Sequence, residues 1–589
     1  MTLTGPSQDV GAPIPNNTEH AISVTLPTWE ATVGYEEGQE WVVSQMKSGY
    51  PRFFIHQVIQ ELCKSIEAKY ARNVERCMVF PSYNIAKRCR EFIKQKSDNP
   101  LAIRRVLQLS TPPPATEEEK LRKIESTIGI VFFPPEEFPL AKQYWQHSGE
   151  GISSRMAEYV LKELFENAKK DPLRLKGRSK QELQAEQIKR KSPSITASMR
   201  SNSQLQNEEV ETEFNNFIEQ KYGRVLDLMF AEQAKLALRR RISGQAEKSE
   251  AQVSANLGKR GSHISESEVY LYPTGMAAIF NAHQALLGTY DPPKKSVCFG
   301  FPYVDTLNIL RKFGPGCFFL GFGDDASLDD MERQLESGEM DIMGLFCECP
   351  SNPLLKTPNL KRIRELADKF NFAVVVDETV GNLLNISVLP YADMVVSSLT
   401  KVFSGDSNVM GGSLILNPAS SKYAQLKEYF NQNYEDTYWA EDALYLERNS
   451  RDFESRSKKI NRNAAEVVAL LEQSPLIDQV FYPSISDTKK YYDELKAPEG
   501  GYGGLISFVF RNPEHAVTFF NSIQLHKGPS LGTNFTLACP YAILAHYQEL
   551  DEVAKWGVDK NLIRISVGLE NESELLGILR KSLDLCTSK

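Results

Sequence analysis

The sequence predicts an α/β protein: a main body with a mostly parallel sheet, a smaller C-terminal α+β domain and an N-terminal extension. Three observations predict this fold class. Strand-like and helix-like segments alternate in the main body, and this order produces a parallel sheet covered by helices on both faces. A polar, aromatic-poor segment at 176–213 precedes that body. After Asn417 a long helical stretch is followed by shorter strands, as in a separate α+β domain.

Length and composition limit the function classes. A chain of 589 residues is too long for one core and predicts about two or three domains. The net charge of −8 excludes a basic surface for nucleic acid. The apolar runs are strand-sized, so we expect no membrane span. The start has no leader pattern and the nine cysteines have no framework or zinc spacing, so we expect a reducing, cytoplasmic environment and no metal site.

The predicted domain boundaries follow the composition. Residues 1–175 form an N-terminal extension, and 176–213 form a polar linker that is disordered or weakly helical. Residues 214–420 form the large domain, and 421–589 form the C-terminal domain. A second polar segment at 243–265 predicts a surface loop within the large domain.

The elements of the main body can be assigned in order. "AAIFNAHQALL" has a helical period, "KSVCFGF" is strand-like, and "MDIMGLFCECP" is a strand that leads into a turn. "PNLKRIRELADKFN" is an amphipathic helix with apolar residues three and four apart. "FAVVVDE" and "ADMVVSSLT" are buried strands. Ligands of such sheets bind at the carboxyl ends of the strands, so the polar residues there are site candidates.

Two strand ends carry an acid and an amine. Asp377 ends "FAVVVD", and Lys401 follows the next strand in "SSLTKV". Taken singly, Asp377 is more often a turn cap and Lys401 a solvated loop residue. Together, a carboxylate that holds a ring nitrogen protonated and an amine that reacts with an aldehyde indicate pyridoxal phosphate. Ser398 and Thr400 place two hydroxyls beside the lysine for the cofactor phosphate.

Other residues complete a candidate cofactor and substrate site. "YPTGMAAI" places Gly275 at a helix start, where free N–H groups favour an anion. Tyr303 is an aromatic that could stack on a ring, although most such tyrosines only pack. Asn352 in "ECPSNP" reads by default as a turn residue. Arg564 in "LIRISVGLE" is either a surface residue or a bidentate clamp for a carboxylate.

These motifs resemble those of the cystathionine-type, pyridoxal-phosphate-dependent enzymes of cysteine and methionine metabolism, and within them the fungal cystathionine γ-synthases. The resemblance covers roughly residues 215–589, and the N-terminal extension also resembles that of the long fungal members. It implies the fold type I of aspartate aminotransferase-like enzymes for the large domain. It implies pyridoxal 5'-phosphate as the cofactor and a homodimer or homotetramer as the assembly.

The cofactor roles carry over motif by motif. This chain reads "TGMAAI" where the family has "SGMAAI", which assigns phosphate contacts to Gly275 and Met276. "YVDT" stands for "YGGT" and makes Tyr303 the stacking residue, with a possible role in proton transfer. "ECPSNP" stands for "ESPTNP" and places Asn352 near the cofactor hydroxyl and the substrate. "DET" stands for "DNT" and gives Asp377 the ring nitrogen.

The remaining roles concern the lysine and the substrate. "SSLTKV" stands for "HSATKY", so the resemblance implies that Lys401 binds the cofactor aldehyde and that Ser398 and Thr400 contact its phosphate. "SLGT" stands for "SLGG" and places Ser530 beside the lysine and the substrate. "RISVGLE" stands for "RLSVGLE" and makes Arg564 the clamp of the substrate carboxylate.

The chain departs from the family where a neighbouring subunit lends a tyrosine and an arginine through "YSRYGNPT". The corresponding register in "EQKYGRVLD" has Glu219 and Lys221, followed by Tyr222, whereas "GYPRFF" offers Tyr50 and Arg52 far upstream. That segment is followed by "RCMVFPSYNIAKRC", which parallels "EVYLYPTGMAAIFN". Two hypotheses stay open: the N-terminal region contains a diverged copy of the phosphate-binding element, or it supplies the missing contacts itself.

The resemblance implies γ-replacement on an O-acyl-L-homoserine by L-cysteine, which yields L-cystathionine. A second interpretation keeps the first substrate and changes the nucleophile to sulfide, another thiol or a carbon acid, or to water in a γ-elimination. A third is a catalytically silent regulatory paralogue. The complete set Asp377, Ser398, Thr400, Lys401 and Arg564 argues against the third interpretation, because a non-catalytic protein has no physical need for a buried amine.

Overall fold

The computed structural model describes residues 6–50, 54–167, 227–244 and 264–587. The predicted linker at 176–213, most of the predicted surface loop at 243–265, and the candidates Arg52, Glu219, Lys221 and Tyr222 lie outside the described residues. Within those ranges, no helix has the length and apolar character needed to cross a bilayer.

The main body is built on a seven-stranded sheet, in which six strands run in the same direction. Its spatial order is β6-β12-β11-β10-β9-β7-β8, and β12 is the antiparallel strand. The strands are β6 (Val269–Tyr272), β7 (Lys295–Phe299), β8 (Cys317–Leu320), β9 (Ile342–Glu348), β10 (Ala373–Asp377), β11 (Met394–Ser398) and β12 (Gly412–Leu416). The sheet confirms the predicted α/β class with a mostly parallel sheet.

Helices cover both faces of this sheet, because successive residues of each strand point to opposite sides. Val374 and Val376 of β10 belong to one buried cluster, and Ala373 and Val375 belong to the other. The helices of the body are α8 (Ala231–Ser243), α9 (Gly275–Thr289), α10 (Val304–Lys312), α11 (Asp325–Ser337), α12 (Leu360–Phe370), α13 (Tyr423–Asn433), α14 (Ala440–Ser450) and α15 (Phe453–Gln473).

Helix α12 shows how the sequence sets these elements. Asn359 caps its first turn by accepting a hydrogen bond from the amide of Arg362, and it ends at Asn371, whose φ is +58°. Its inner face buries Ile363 and Leu366. The capping side chain, the apolar period and the left-handed asparagine are the signals expected of an amphipathic helix with defined ends.

The predicted long helical stretch at 440–473 is divided into α14 and α15. The division lies at Arg451 and Asp452, where Asp452 has φ −108° and ψ 14°. The guanidinium of Arg456 fills the corner, since it donates to the carbonyl oxygens of Asn449, Val402 and Phe403. Burying this arginine against backbone acceptors explains the break in a sequence whose helical period is continuous.

The C-terminal part contains a five-stranded sheet of order β13-β14-β17-β16-β15, which is antiparallel except for the β15–β16 pair. The strands are β13 (Ile477–Phe481), β14 (Leu505–Phe510), β15 (His526–Lys527), β16 (Leu537–Pro540) and β17 (Ile563–Ser566). The helices are α16 (Lys489–Leu495), α17 (Pro513–Ser522), α18 (Tyr541–His546), α19 (Leu550–Ala554) and α20 (Glu572–Thr587). The domain boundary at 420 stays a prediction, and Leu426 and Phe430 of α13 lie in the core of the large sheet.

The N-terminal region forms two packed parts. Up to residue 50 it runs along the C-terminal sheet, where the amide of Leu26 donates to the carbonyl oxygen of Lys527. Beyond residue 54 it forms an antiparallel sheet of order β3-β5-β4 with its own core. The strands are β1 (Pro13–Ile14), β2 (Ser23–Val24), β3 (Arg76–Phe80), β4 (Arg105–Ser110) and β5 (Thr127–Phe133). The helices are α1 (Trp29–Glu36), α2 (Glu40–Val43), α3 (Gln57–Tyr70), α4 (Tyr83–Lys96), α5 (Glu117–Arg122), α6 (Phe138–Ser148) and α7 (Ser154–Leu161).

Candidate active site

A cavity of about 180 Å³ lies where the parallel strands of the large sheet end. Since a single water needs only about 10–15 Å³ on this measure, the cavity has room for an organic ligand. The N-terminal region, the large domain and the C-terminal domain all contribute to its wall. Among the predicted site residues it is lined by Gly275, Met276, Tyr303, Asn352, Asp377, Ser398, Thr400, Lys401 and Arg564.

Lys401 is buried at the bottom of this cavity, with 7% of its surface exposed. Its Nζ donates to the hydroxyl of Tyr50 at 3.1 Å and to Oγ of Ser530 at 3.4 Å. It also lies 4.7 Å from the centre of the Tyr50 ring. Gly532, at φ +68°, passes so close that a Cβ there would lie 2.8 Å from the Cβ of Lys401. Ser530 therefore lies beside Lys401, its contact with the substrate stays a prediction, and Tyr50 joins the site from the N-terminal region.

Asp377 and Glu348 form a carboxylate pair at the ends of adjacent parallel strands, where the two residues are in register. Burial raises the pKa of Asp377, against hydrogen bonds from the hydroxyl and amide of Thr379. Burial and the charge of Asp377 raise the pKa of Glu348 to about 8. Because the Asp377 charge is itself a cause of the raised pKa of Glu348, Asp377 carries the negative charge of the pair and Glu348 keeps the proton. Asp377 is thus suited to face a protonated ring nitrogen.

The start of α9 offers backbone N–H groups to an anion. The hydroxyl of Thr274 caps this helix by accepting from the amide of Ala277 at 3.0 Å. A Cβ at Gly275 would lie 2.6 Å from the Cβ of Ser398, so only glycine lets the helix begin against the end of β11. Its free N–H groups and the Ser398 hydroxyl therefore meet at one place. The Thr400 hydroxyl exchanges hydrogen bonds with the backbone of Gly411, and its phosphate contact stays a prediction.

Glu348 organises two of the predicted residues, and sequence reasoning missed it. One of its carboxylate oxygens accepts from the amide of Tyr303, and the other accepts from the amide of Asn352 at 3.0 Å. The Tyr303 hydroxyl lies 3.9 Å from Sδ of Met276. A signal was present, because Glu348 ends an otherwise apolar strand just as Asp377 does.

Arg564 projects from the C-terminal sheet into the same cavity and is 4% exposed. It donates to Oδ1 of Asn352 at 3.1 Å and to the carbonyl oxygen of Ser530 at 3.0 Å, and it lies over the Tyr541 ring. In the described part of the chain, no carboxylate lies within ion-pair distance of its guanidinium. A buried arginine that is held by neutral acceptors is suited to bind the carboxylate of a ligand.

The N-terminal region forms the remaining wall of the cavity, and sequence reasoning found only Tyr50 of this wall. The region also contributes His20, Phe54, His56, Trp145 and Ser154 to the lining. Burial lowers the pKa of His20 to about 4, with Arg155 as a further cause. These residues lie far from the catalytic motifs in sequence, and no local pattern marks them.

The proposed diverged copy of the phosphate-binding element has the expected local shape. Strand β3 leads through Ser82, which caps α4, much as β6 leads through Thr274 to α9. The Ser82 hydroxyl and the Asn84 amide bind the carboxylate of Glu435. The carboxylate of Glu435 thus occupies the start of α4. That the segment from β3 to α4 descends from a copy of the phosphate-binding element stays a hypothesis.

Two family models match the chain. The model described as Cys/Met metabolism PLP-dependent enzyme matches residues 254–584, and the model described as fungal trans-sulfuration enzyme, N-terminal domain, matches residues 58–153. The chain belongs to the Cys/Met metabolism PLP-dependent enzyme family. Its predicted fold type I architecture, its cofactor and its class as a pyridoxal-phosphate-dependent transferase are confirmed by this membership.

Full-length relatives agree with the family. Cystathionine gamma-synthase of Neurospora crassa is 46% identical and aligns over 98% of this chain and 98% of that protein. Cystathionine gamma-synthase of Saccharomyces cerevisiae is 44% identical over 98% of this chain and 99% of that protein. Cystathionine gamma-synthase-like enzyme iboG2 of Amanita muscaria is 40% identical over 98% of this chain and 96% of that protein. The fungal resemblance is confirmed over the N-terminal region as well as the body.

Proposed function

We propose that the protein replaces the γ-acyloxy group of an O-acyl-L-homoserine with the thiol of L-cysteine and releases L-cystathionine. The observation that carries the proposal is the buried Arg564, which is held by Asn352 in the cavity that contains Lys401. This arrangement suits an α-amino acid, whose carboxylate binds the guanidinium while its amino group reaches the lysine end of the cavity. Two full-length relatives, both named cystathionine gamma-synthase, support the same reaction.

The residues at the strand ends fit pyridoxal phosphate. The start of α9 with Ser398 would hold its phosphate, Asp377 its ring nitrogen and Lys401 its aldehyde. Once bound, the cofactor supplies an electron sink that acidifies the hydrogens near the substrate amino group. The Asp377 charge would keep the ring nitrogen protonated, and Tyr303 would cover the ring.

The chain's own groups then handle the protons and the substrate. Lys401 Nζ takes the proton from Cα of the substrate and later returns protons to the product, while Tyr50 and Ser530 hold this amine in reach. Arg564 binds the α-carboxylate, and Asn352 orients the guanidinium. The acyloxy group leaves from Cγ, and the cysteine sulfur bonds to the same carbon.

A second candidate keeps the first substrate and changes the nucleophile. It stays open because iboG2, which aligns over nearly the whole chain, is named a cystathionine gamma-synthase-like enzyme and not a cystathionine gamma-synthase. We assign Asp377 and Lys401 to the cofactor and Arg564 to the carboxylate of the first substrate. Both reactions share these groups, so the three residues do not select the nucleophile. Sulfide, another thiol, a carbon acid or water would then take the place of cysteine.

We also propose that the protein assembles as a homodimer or homotetramer.

Product analysis by mass spectrometry tests both candidates. The purified holoenzyme receives O-acetyl- or O-succinyl-L-homoserine with and without L-cysteine, next to a Lys401→Ala control. We expect cystathionine only when cysteine is present and none from the control. Ketobutyrate alone, or consumption of the ester with a different nucleophile, would support the second candidate instead.

Borohydride reduction followed by peptide mapping tests the lysine assignment. Lys527 is the matched internal control, because it is also buried, and burial lowers its pKa to about 8. Its Nζ donates to the carbonyl oxygens of Pro27 and Asn521, away from the cavity. We expect the reduced cofactor on the Lys401 peptide. Label on the Lys527 peptide would refute the assignment.

A further inference from the structure

Two helices from different parts of the chain meet through a buried polar chain. His147, near the end of α6 in the N-terminal region, is 3.1 Å from Oδ1 of Asp305 in the first turn of α10. Lys312, at the end of α10, donates to Nε2 of the same imidazole at 2.9 Å. The side chains of His147 and Asp305 are 6% and 1% exposed. The chain Lys312–His147–Asp305 therefore ties α6 to both ends of α10.

The direction of these hydrogen bonds follows from the partners. An ammonium group can only donate, so Nε2 of His147 accepts and carries no proton. The proton of the neutral ring then lies on Nδ1, which donates to the Asp305 carboxylate. The same carboxylate oxygen also accepts from the side-chain amide of Asn308 at 3.3 Å. Each member of the chain thus has a complementary partner, as a buried polar network requires.

Aromatic packing secures the other end of α10. Phe313, which directly follows this helix, stacks on Phe92 of α4 at a centroid distance of 4.9 Å. It also meets the edge of Tyr144 of α6 at 5.9 Å. The N-terminal region therefore contacts the first turn of α10 through a hydrogen bond and the end of α10 through stacked rings.

The first turn of α10 directly follows Tyr303. The backbone of Tyr303 is the N-cap of this helix, and its amide is held by Glu348. Asp305 lies two residues further on, at a position where the family motif "YGGT" has glycine and this chain reads "YVDT". Val304 and Asp305 both depart from the family pattern, and Asp305 is the one that forms the hydrogen bond with the N-terminal region.

We propose that His147 is a positioning residue, through which the N-terminal region fixes the first turn of α10 and so the orientation of the Tyr303 ring. The inference rests on the proposed role of Tyr303 as the residue that covers the cofactor. Glu348 fixes one end of the Tyr303 backbone and Asp305 fixes the helix that continues from it. With both anchors the Cα–Cβ bond of Tyr303 has a defined direction. Without the His147 anchor, the first turn of α10 loses its hydrogen bond to the N-terminal region.

Hydrogen–deuterium exchange of the apoprotein tests the anchor without any activity. We expect His147→Leu to speed amide exchange at residues 303–306 roughly tenfold, because local opening is governed by the contacts that the segment loses. His147→Asn keeps a donor near the position of Nδ1 and should stay within about threefold of the wild type. Glu435→Ala is the matched control, since it also removes hydrogen bonds between the N-terminal region and the body. Unchanged exchange at 303–306 in His147→Leu would overturn the proposal.

Kinetics of the double variant separate positioning from a merely structural role. His147→Leu leaves Asp305 buried without this donor, so it lowers Tm as well as kcat. His147→Leu/Asp305→Ala also removes the buried carboxylate that lost this donor. We expect Tm to recover in it while kcat stays about tenfold low at saturating cofactor, since small misplacements in a site are costly. Recovery of kcat together with Tm would contradict positioning. Because exchange and Tm do not need turnover, failure of the proposed substrates leaves this test intact.

Discussion

Removing the Tyr50 hydroxyl should slow the reaction without emptying the site. Lys401 Nζ donates to this hydroxyl at 3.1 Å and lies 4.7 Å from the ring centre. Tyr50→Phe removes the hydrogen bond and keeps the ring, whereas Tyr50→Ala removes both. The two variants therefore divide the contact between Tyr50 and the amine into a polar and an aromatic part.

The expected magnitudes follow from these two contacts. A hydrogen bond to a charged group contributes about 1.5–3 kcal/mol, and about 1.4 kcal/mol corresponds to a tenfold change. If the bond acts fully while Nζ moves protons, Tyr50→Phe lowers kcat roughly ten- to hundredfold. The ring contributes about 0.5–2 kcal/mol more through its interaction with the cation. Tyr50→Ala should therefore be slower again by roughly two- to thirtyfold.

Steady-state rates of cystathionine formation at saturating cofactor measure the effect, with Tyr83→Phe as a control tyrosine of the N-terminal region outside the cavity. Mixing Tyr50→Ala with Lys401→Ala subunits tests whether the contact lies within one chain. If the contact lies within one chain, neither variant chain has both Tyr50 and Lys401, and the mixture recovers no activity. Equal kcat for wild type, Tyr50→Phe and Tyr50→Ala would refute the reasoning. Recovered activity in the mixture would show that Tyr50 acts on a neighbouring subunit.

Two further predictions concern the carboxylate pair and the clamp. Burial and the charge of Asp377 raise the pKa of Glu348 from 4.5 to about 8. Because the folded protein holds this proton more tightly than the unfolded chain, the shift adds to the free energy of unfolding. This stabilisation is complete below the unfolded-state pKa and is lost as the pH rises through the folded-state pKa. The Tm of apoprotein Glu348→Gln should hence fall less than that of the wild type between about pH 5 and pH 8, and parallel profiles would count against the shift. Arg564→Lys keeps the charge but loses the planar fork, so KM for the ester should rise roughly tenfold or more with little change in kcat. A variant with a lower kcat at unchanged KM would argue against carboxylate binding.

The catalytic body could be predicted from the sequence because its signals are local. Asp377 and Ser398 end buried strands, Gly275 begins a helix after a strand, and each of these features spans only a few residues. In a parallel sheet such ends meet at one edge whatever the connections are. The motifs therefore predicted both the fold and a shared cavity before any distance was known.

The N-terminal share of the site could not be predicted in this way. Tyr50 is 351 residues from Lys401, and His147 is 158 residues from Asp305. Contacts of this separation depend on how whole domains pack. The pattern "GYPRFF" made Tyr50 a candidate, but it did not indicate Lys401 as the partner. No neighbouring pattern marks His147. Glu348 is a different case, since an acid at the end of an apolar strand was a visible signal that the turn motif beside it obscured.

The contacts made by the N-terminal region form one arrangement around the cofactor-binding residues. The Gly149 carbonyl accepts from Thr274, whose hydroxyl caps the helix at the phosphate end of the site. Tyr50 holds Lys401 at the reactive end, and His147 holds the helix that follows the stacking residue. The region thus contacts residues at each of the three places to which we assign the cofactor phosphate, the cofactor aldehyde and the cofactor ring. A part of the chain with this distribution of contacts acts as a component of the active site, and variation within it should change turnover as directly as variation within the catalytic motifs.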